Sequence, residues 1–144
     1  MNQKSDEQTL RQAIELLYFG YRAFTDAPDR ILEERGLGRV HHRILYFVGR
    51  HPSISVTRLL AVLKITKQAL NAPLRQLMEM RLVAMDTAAH DKRVRELTLT
   101  PAGKKLEAQL SGTQLKQLRA VFEETGGEAL SGWSQVMKAL AAHR

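Results

Sequence analysis

The chain contains no cysteine among its 144 residues. That absence removes disulfide scaffolds, thiolate metal sites and thiol redox sensing together, and it suits a reducing cytoplasm, the compartment expected here. No apolar run is long enough to span a bilayer, and Met1 to Gln8 lacks the apolar stretch of a secretory signal, so no membrane partner is expected. A Gly-rich phosphate loop and a paired-histidine metal motif are also missing. With no thiol nucleophile either, the chain reads as a non-enzyme without cofactor or metal. His41-His42 is the only histidine pair. Adjacent residues on a helix point in different directions, so these two are expected to be titrating surface or interface groups rather than ligands. Aromatic residues make up 6% of the chain and none lies between Val48 and Gly103. Readers of single-stranded RNA expose stacking aromatics, so that gap disfavours them.

Positive charge is abundant and localised. The formal net charge is +7, and the segment Ser55 to Lys105 holds ten basic against four acidic residues, leaving +6 there. The flanks hold twelve basic against eleven acidic residues and are close to neutral. A uniformly basic surface would spread the excess, whereas concentration in the middle third is the footprint of a polyanion.

The periodicity predicts a mainly helical chain with one β-hairpin. Leu10, Ile14, Leu17, Tyr21 and Phe24 form an amphipathic stripe over Glu7 to Phe24, and Tyr18 and Phe19 widen it enough to suggest burial against a second chain. Pro28 is expected to open a separate short helix through Glu34, ended by Gly36 and Gly38. A helix over Val40 to Gly49 stops before Pro52. Ser55 caps Val56 to Leu63, and Thr66 caps a helix from Lys67 to about Met80, with only Lys64 and Ile65 before that cap. Val83 to Thr87 and Val94 to Thr100 alternate as strands around a charged tip, Ala88 to Arg93. Thr100-Pro101 opens a helix to about Glu124, Gly126-Gly127 breaks it, and a last helix carries Leu130, Trp133, Val136, Met137 and Leu140, with Trp133 expected as a packing residue.

Two groups of residues carry chemistry suited to duplex DNA. On the second helix of the tight pair, Leu70, Leu74, Leu77 and Met78 face inward, while Lys67, Asn71 and Arg75 recur every four residues on another face beside Gln68. These side chains reach base edges and phosphates, and the first turns of such a helix approach closest, so Thr66, Lys67, Gln68 and Asn71 are the candidate base contacts. At the hairpin, Asp91-Lys92-Arg93-Val94-Arg95 places three cations on a ribbon narrow enough for a minor groove. Asp91 is positioned to pair with Arg93 and fix its direction.

Helix-turn-helix, strand, D-x-R hairpin, strand and then Leu99-Thr100-Pro101-Ala102-Gly103 resembles the MarR family of bacterial winged-helix regulators, and Ile65-Thr66-Lys67-Gln68-Ala69-Leu70 supports the likeness. The resemblance implies a winged helix-turn-helix (α+β, mainly α) set in a helical dimerisation scaffold. The expected division is residues 1–38 and 101–144 for dimerisation and 39–100 for DNA binding. It further implies a homodimer with interlocked N- and C-terminal helices on a pseudo-palindromic double-stranded operator, recognition helices in the major groove and wings in the minor groove. In that arrangement Asp91 orients Arg93, which enters the groove; repression released by a small ligand is common among members. Three departures stand out: Lys64 and Arg81 occupy positions where glycine is usual, and Pro73 is expected to kink the recognition helix or alter its entry angle.

A two-fold dimer also answers a physical need, because one module contacts too few bases for genomic specificity. Tyr18, Tyr21, Phe24, His42 and Tyr46 are expected to line a cavity for a small aromatic or phenolic effector. The competing reading is an architectural or protein-contact winged helix with no ligand response.

Overall fold

The computed structural model describes residues 2–143. Its first helix departs from expectation. α1 (Gln3–Glu34) runs as one helix through Pro28 instead of dividing there. Proline at 28 has no N–H to offer the Phe24 carbonyl one turn earlier. Gln114 Nε2 donates to that carbonyl at 3.4 Å, and Gln117 Nε2 donates to the Ala23 carbonyl at 3.2 Å. The polar group orphaned by the proline therefore finds its partner on another helix, a compensation that local sequence cannot reveal.

The remaining order is α2 (Arg39–Arg50), β1 (Ile54–Ser55), α3 (Val56–Leu63), α4 (Lys67–Glu79), β2 (Val83–Thr87), β3 (Arg95–Leu99), α5 (Pro101–Thr125) and α6 (Gly127–Ala142). β2 and β3 form the expected antiparallel hairpin, with Val83 opposite Leu99 and Thr87 opposite Arg95. A third strand was not expected. The two residues of β1 pair with β3, Ile54 opposite Leu97 and Ser55 opposite Glu96, making a sheet of order β1-β3-β2. Two residues are too few to show a period of two, so β1 is invisible to pattern reading.

Capping follows the sequence closely. Ser55 Oγ accepts from Arg58 N–H at 3.1 Å, Thr66 Oγ1 from Ala69 N–H at 3.1 Å, and Thr100 Oγ1 from Gly103 N–H at 3.0 Å. α4 continues without interruption across Pro73. Leu32, Ile44, Leu45, Leu59, Leu70, Leu77, Leu97, Leu106 and Leu110 make one buried core that joins the C-terminal end of α1 and the first half of α5 to the helix-turn-helix.

Lys64 (φ 54°) and Arg81 (φ 58°) both adopt the left-handed conformation, as does Ser53 (φ 66°), which was not anticipated. Arg81 completes a Schellman turn after α4, with Leu82 N–H donating to the Leu77 carbonyl at 2.9 Å and Arg81 N–H to the Met78 carbonyl at 3.0 Å. Left-handed backbone costs an L side chain about 1 kcal/mol, partly offset in a glycine variant by a freer unfolded chain. Arg81→Gly is accordingly expected to raise the melting temperature by about 1–2 °C in a calorimetric scan, corresponding to ~0.5 kcal/mol.

Candidate nucleic-acid interface

α3 and α4 meet through the left-handed turn at Lys64, and the burial of Leu70, Leu74 and Leu77 leaves the opposite side of α4 in solvent. Lys67, Asn71 and Arg75 are exposed there. The wing comes alongside. Lys67, Asn71 and Arg75 share with Arg93 and Arg95 the walls of one open groove of about 810 Å³, floored by Leu60, Leu74 and Met78. Residues as far apart in sequence as Lys67 and Arg95 are thus gathered around a single trough rimmed by cations.

Other candidate residues sit around this trough. Gln68 is exposed on α4 but outside its lining, and Lys92 is exposed at the hairpin tip. Thr66 is also exposed, with its hydroxyl oxygen accepting the cap hydrogen bond and its O–H still free to donate. Ser55, at the end of β1, and Thr57, in the first turn of α3, line the same groove. Neither Ser55, a helix cap by its sequence position, nor Thr57 belongs to a charged cluster, so no sequence signal marks them for the groove.

The hairpin has an internal frame. Ala88 N–H donates to the Val94 carbonyl at 2.8 Å and Val94 N–H to the Asp91 carbonyl at 3.0 Å. Asp91 Oδ1 accepts from Arg93 N–H at 3.0 Å and from Arg93 Nε at 3.3 Å, while Asp91 Oδ2 accepts from the guanidinium at 3.3 Å. The Arg93 backbone N–H first, and its guanidinium second, hold the Asp91 carboxyl below the usual carboxylate range. The Arg93 side chain is 91% exposed, yet its guanidinium is tethered to Asp91 rather than free to sweep. An exposed, directed guanidinium at a ribbon tip is the group that a narrow, electronegative minor groove attracts.

A second concavity, about 290 Å³, lies between α1, α2 and α5. Tyr21, Phe24, His42 and Tyr46 line it as expected, but Tyr18 does not. Tyr18 is 58% exposed and packs beside Phe19 and under Arg22, one turn farther along α1, so it misses the cavity walls. The walls also carry an Arg39–Asp29 ion pair at 2.9 Å and an Arg43 guanidinium donating to the Tyr21 hydroxyl at 2.8 Å.

His41 and His42 are both buried, at 9% exposure, which corrects the expectation of surface or interface groups. They do point apart: His41 Nε2 lies 2.9 Å from Gln76 Oε1 on α4, and His42 Nε2 lies 3.2 Å from Ser111 Oγ on α5. Burial lowers the His42 pKa, with Arg43 acting in the same direction and Glu107 and Asp29 opposing, which favours a neutral ring at pH 7. Among the described residues, no three His, Asp or Glu side chains come together as a metal site, and no helix is long and apolar enough to cross a membrane.

The terminal helices carry an exposed apolar face. Leu10, Ile14 and Leu17 of α1, Leu115 of α5 and Val136 and Leu140 of α6 are all more than half exposed. No residue of α6 is buried, and Trp133, packed edge-on against Phe122 at 5.7 Å between ring centroids, remains 49% exposed.

Comparison with known proteins places this geometry among winged helices. Residues 35–94 match the model of the MarR family. The chain is 45% identical over 136 residues to the HTH-type transcriptional regulator PetP of Rhodobacter capsulatus, covering 94% of this chain and 81% of that protein. Its fold is similar to that of Streptococcus pneumoniae FabT in complex with DNA, with a TM-score of 0.80, 13% identity and coverage of 92% of this chain and 94% of the other. It is also similar to NadR in complex with 4-hydroxyphenylacetate, with a TM-score of 0.74, 21% identity and coverage of 89% and 91%.

Proposed function

The chain belongs to the MarR family of DNA-binding transcriptional regulators, and from that premise we propose that it acts in the cytoplasm as a homodimeric, non-enzymatic repressor of a pseudo-palindromic operator. α4 enters the major groove, where Thr66, Lys67, Gln68 and Asn71 meet base edges and Arg75 meets the backbone. The wing lies in the flanking minor groove, with Arg93 inserted and Lys92 and Arg95 on phosphates. The observation that carries this reading is the convergence of Lys67, Asn71 and Arg75 with Arg93 and Arg95 around one groove. The exposed apolar face of α1, α5 and α6 supports the dimer, because a second copy would cover it, and a two-fold dimer would read two half-sites about one DNA turn apart.

The test is fluorescence anisotropy on a duplex from the intergenic DNA upstream of the coding sequence, against a scrambled duplex at ~0.15 M salt, where surface charge is already screened. A preference of about 1000-fold or more is expected. Equal and strongly salt-dependent binding to both would instead establish an architectural binder.

The cavity is assigned to a small aromatic or phenolic effector. Tyr21, Phe24 and Tyr46 offer apolar walls, and His42 and Arg43 offer polar anchors. Saturating 4-hydroxyphenylacetate or a similar phenolic acid is expected to weaken operator binding by ~5- to 150-fold. Unchanged affinity across a panel of such acids would remove the effector from this account.

A further inference from the structure

α4 is held in the protein mainly by leucines. Leu70, Leu74 and Leu77 are buried beneath it, and such contact has no preferred direction about the helix axis. Among the described residues, the side-chain hydrogen bonds that tie α4 to another element all come from Gln76. Its Oε1 lies 2.9 Å from His41 Nε2, and its Nε2 donates to the Gly36 carbonyl at 3.3 Å. His41 Nδ1 accepts from Gly38 N–H at 2.9 Å, which leaves the ring proton on Nε2 and makes His41 the donor to Gln76. One amide is thus tied twice to the joint between α1 and α2.

Gln76 is not among the residues lining the groove, whereas Lys67, Asn71 and Arg75 are. A roll of α4 that the leucines tolerate would break both amide hydrogen bonds. A roll of about 10° moves an atom ~6 Å from the axis by about 1 Å, more than base-edge contacts accept. Long cations on phosphates tolerate the same shift, because ammonium and guanidinium groups can follow a diffuse negative surface.

We propose that Gln76, braced by His41, is a positioning residue that sets the rotation of α4, and thereby governs discrimination of the operator rather than affinity for DNA in general. The inference rests on the operator-binding reading above. Gln76→Met keeps the length and packing of the side chain without its hydrogen bonds; Gln76→Ala removes both. Full-length variants are compared with the wild-type chain by anisotropy on the upstream and scrambled duplexes, at a temperature where circular dichroism shows each to be folded. Both variants are expected to lose about 10-fold or more on the upstream duplex and less than ~2-fold on the scrambled one, the scale of one lost base contact. Equal losses on both duplexes, unchanged operator binding, or full recovery in Gln76→Met would overturn the proposal, the last by making packing sufficient. A wild-type chain with no preference between duplexes would overturn the operator-binding reading, and this inference with it.

Discussion

Replacing Arg93 by alanine is expected to lower operator affinity by about 30- to 1000-fold. In the proposed dimer two wings act, and the loss of one groove-inserted arginine would be worth about 1–2 kcal/mol in each. The salt dependence should flatten as well, by about one unit of slope per wing, because each guanidinium releases counterions when it displaces them from the groove. Asp91→Ala separates charge from direction. It leaves Arg93 in place but removes the acceptor of three hydrogen bonds, one from the Arg93 backbone and two from its guanidinium. Its loss of affinity should fall between those of wild type and Arg93→Ala, with the salt slope nearly intact. A loss under about threefold for Arg93→Ala would take the wing out of the minor groove.

The wing also makes a pH prediction. The Asp91 pKa is depressed, so the ionised carboxylate that holds Arg93 is fully formed above the ordinary carboxylate value near ~4 and is lost only as pH falls through the lowered value. Titration of operator binding between pH ~5 and ~8 should therefore be the same in shape for wild type and Asp91→Ala.

Gly103→Ala is the substitution expected to damage the fold most. A methyl group at this position would be driven into the Leu82 carbonyl oxygen, which is backbone and cannot swing aside. The same carbonyl already accepts Thr100 N–H at 3.1 Å, and the Thr100 hydroxyl donates to the Arg81 carbonyl at 2.7 Å. The first turn of α5 is thus clamped against the end of α4, with glycine as the spacer. Alanine must push α5 away from that turn, separating Leu106 and Leu110 from the core they fill. A destabilisation of about 3–4 kcal/mol follows, or roughly 10 °C in melting temperature. Gly112, which meets nothing within 4 Å of its added methyl, serves as the control: Gly112→Ala should melt no lower than wild type. A Gly103→Ala protein that melts with wild type would show that α5 can shift without loss.

The Leu99-Thr100-Pro101-Ala102-Gly103 segment illustrates how far the sequence was legible. Thr100 as a cap and Pro101 as the first helical residue are local chemistry, readable from side-chain type alone. The need for glycine at 103 is not local, because it comes from a carbonyl 21 residues away. Asp91 and Arg93 were readable for the same reason as Thr100: two positions apart in a tight tip, they have little choice but to meet. Tyr18 shows the reverse. Helical spacing put it near Tyr21 and Phe24, but spacing cannot say where α1 passes beyond α2 and α5, and the cavity stops short of it.

The boundaries of α2 to α5, the cap residues, the β2–β3 hairpin and the basic middle third follow from side-chain identity and period, which act over one or two turns. The continuity of α1 through Pro28, the pairing of β1, the burial of His41 and His42 and the link from Gln76 to Gly36 depend on partners from 35 to 90 residues away. No local pattern encodes such pairings. Each exists because a polar group left without a partner on burial costs more than the constraint of meeting one across the fold.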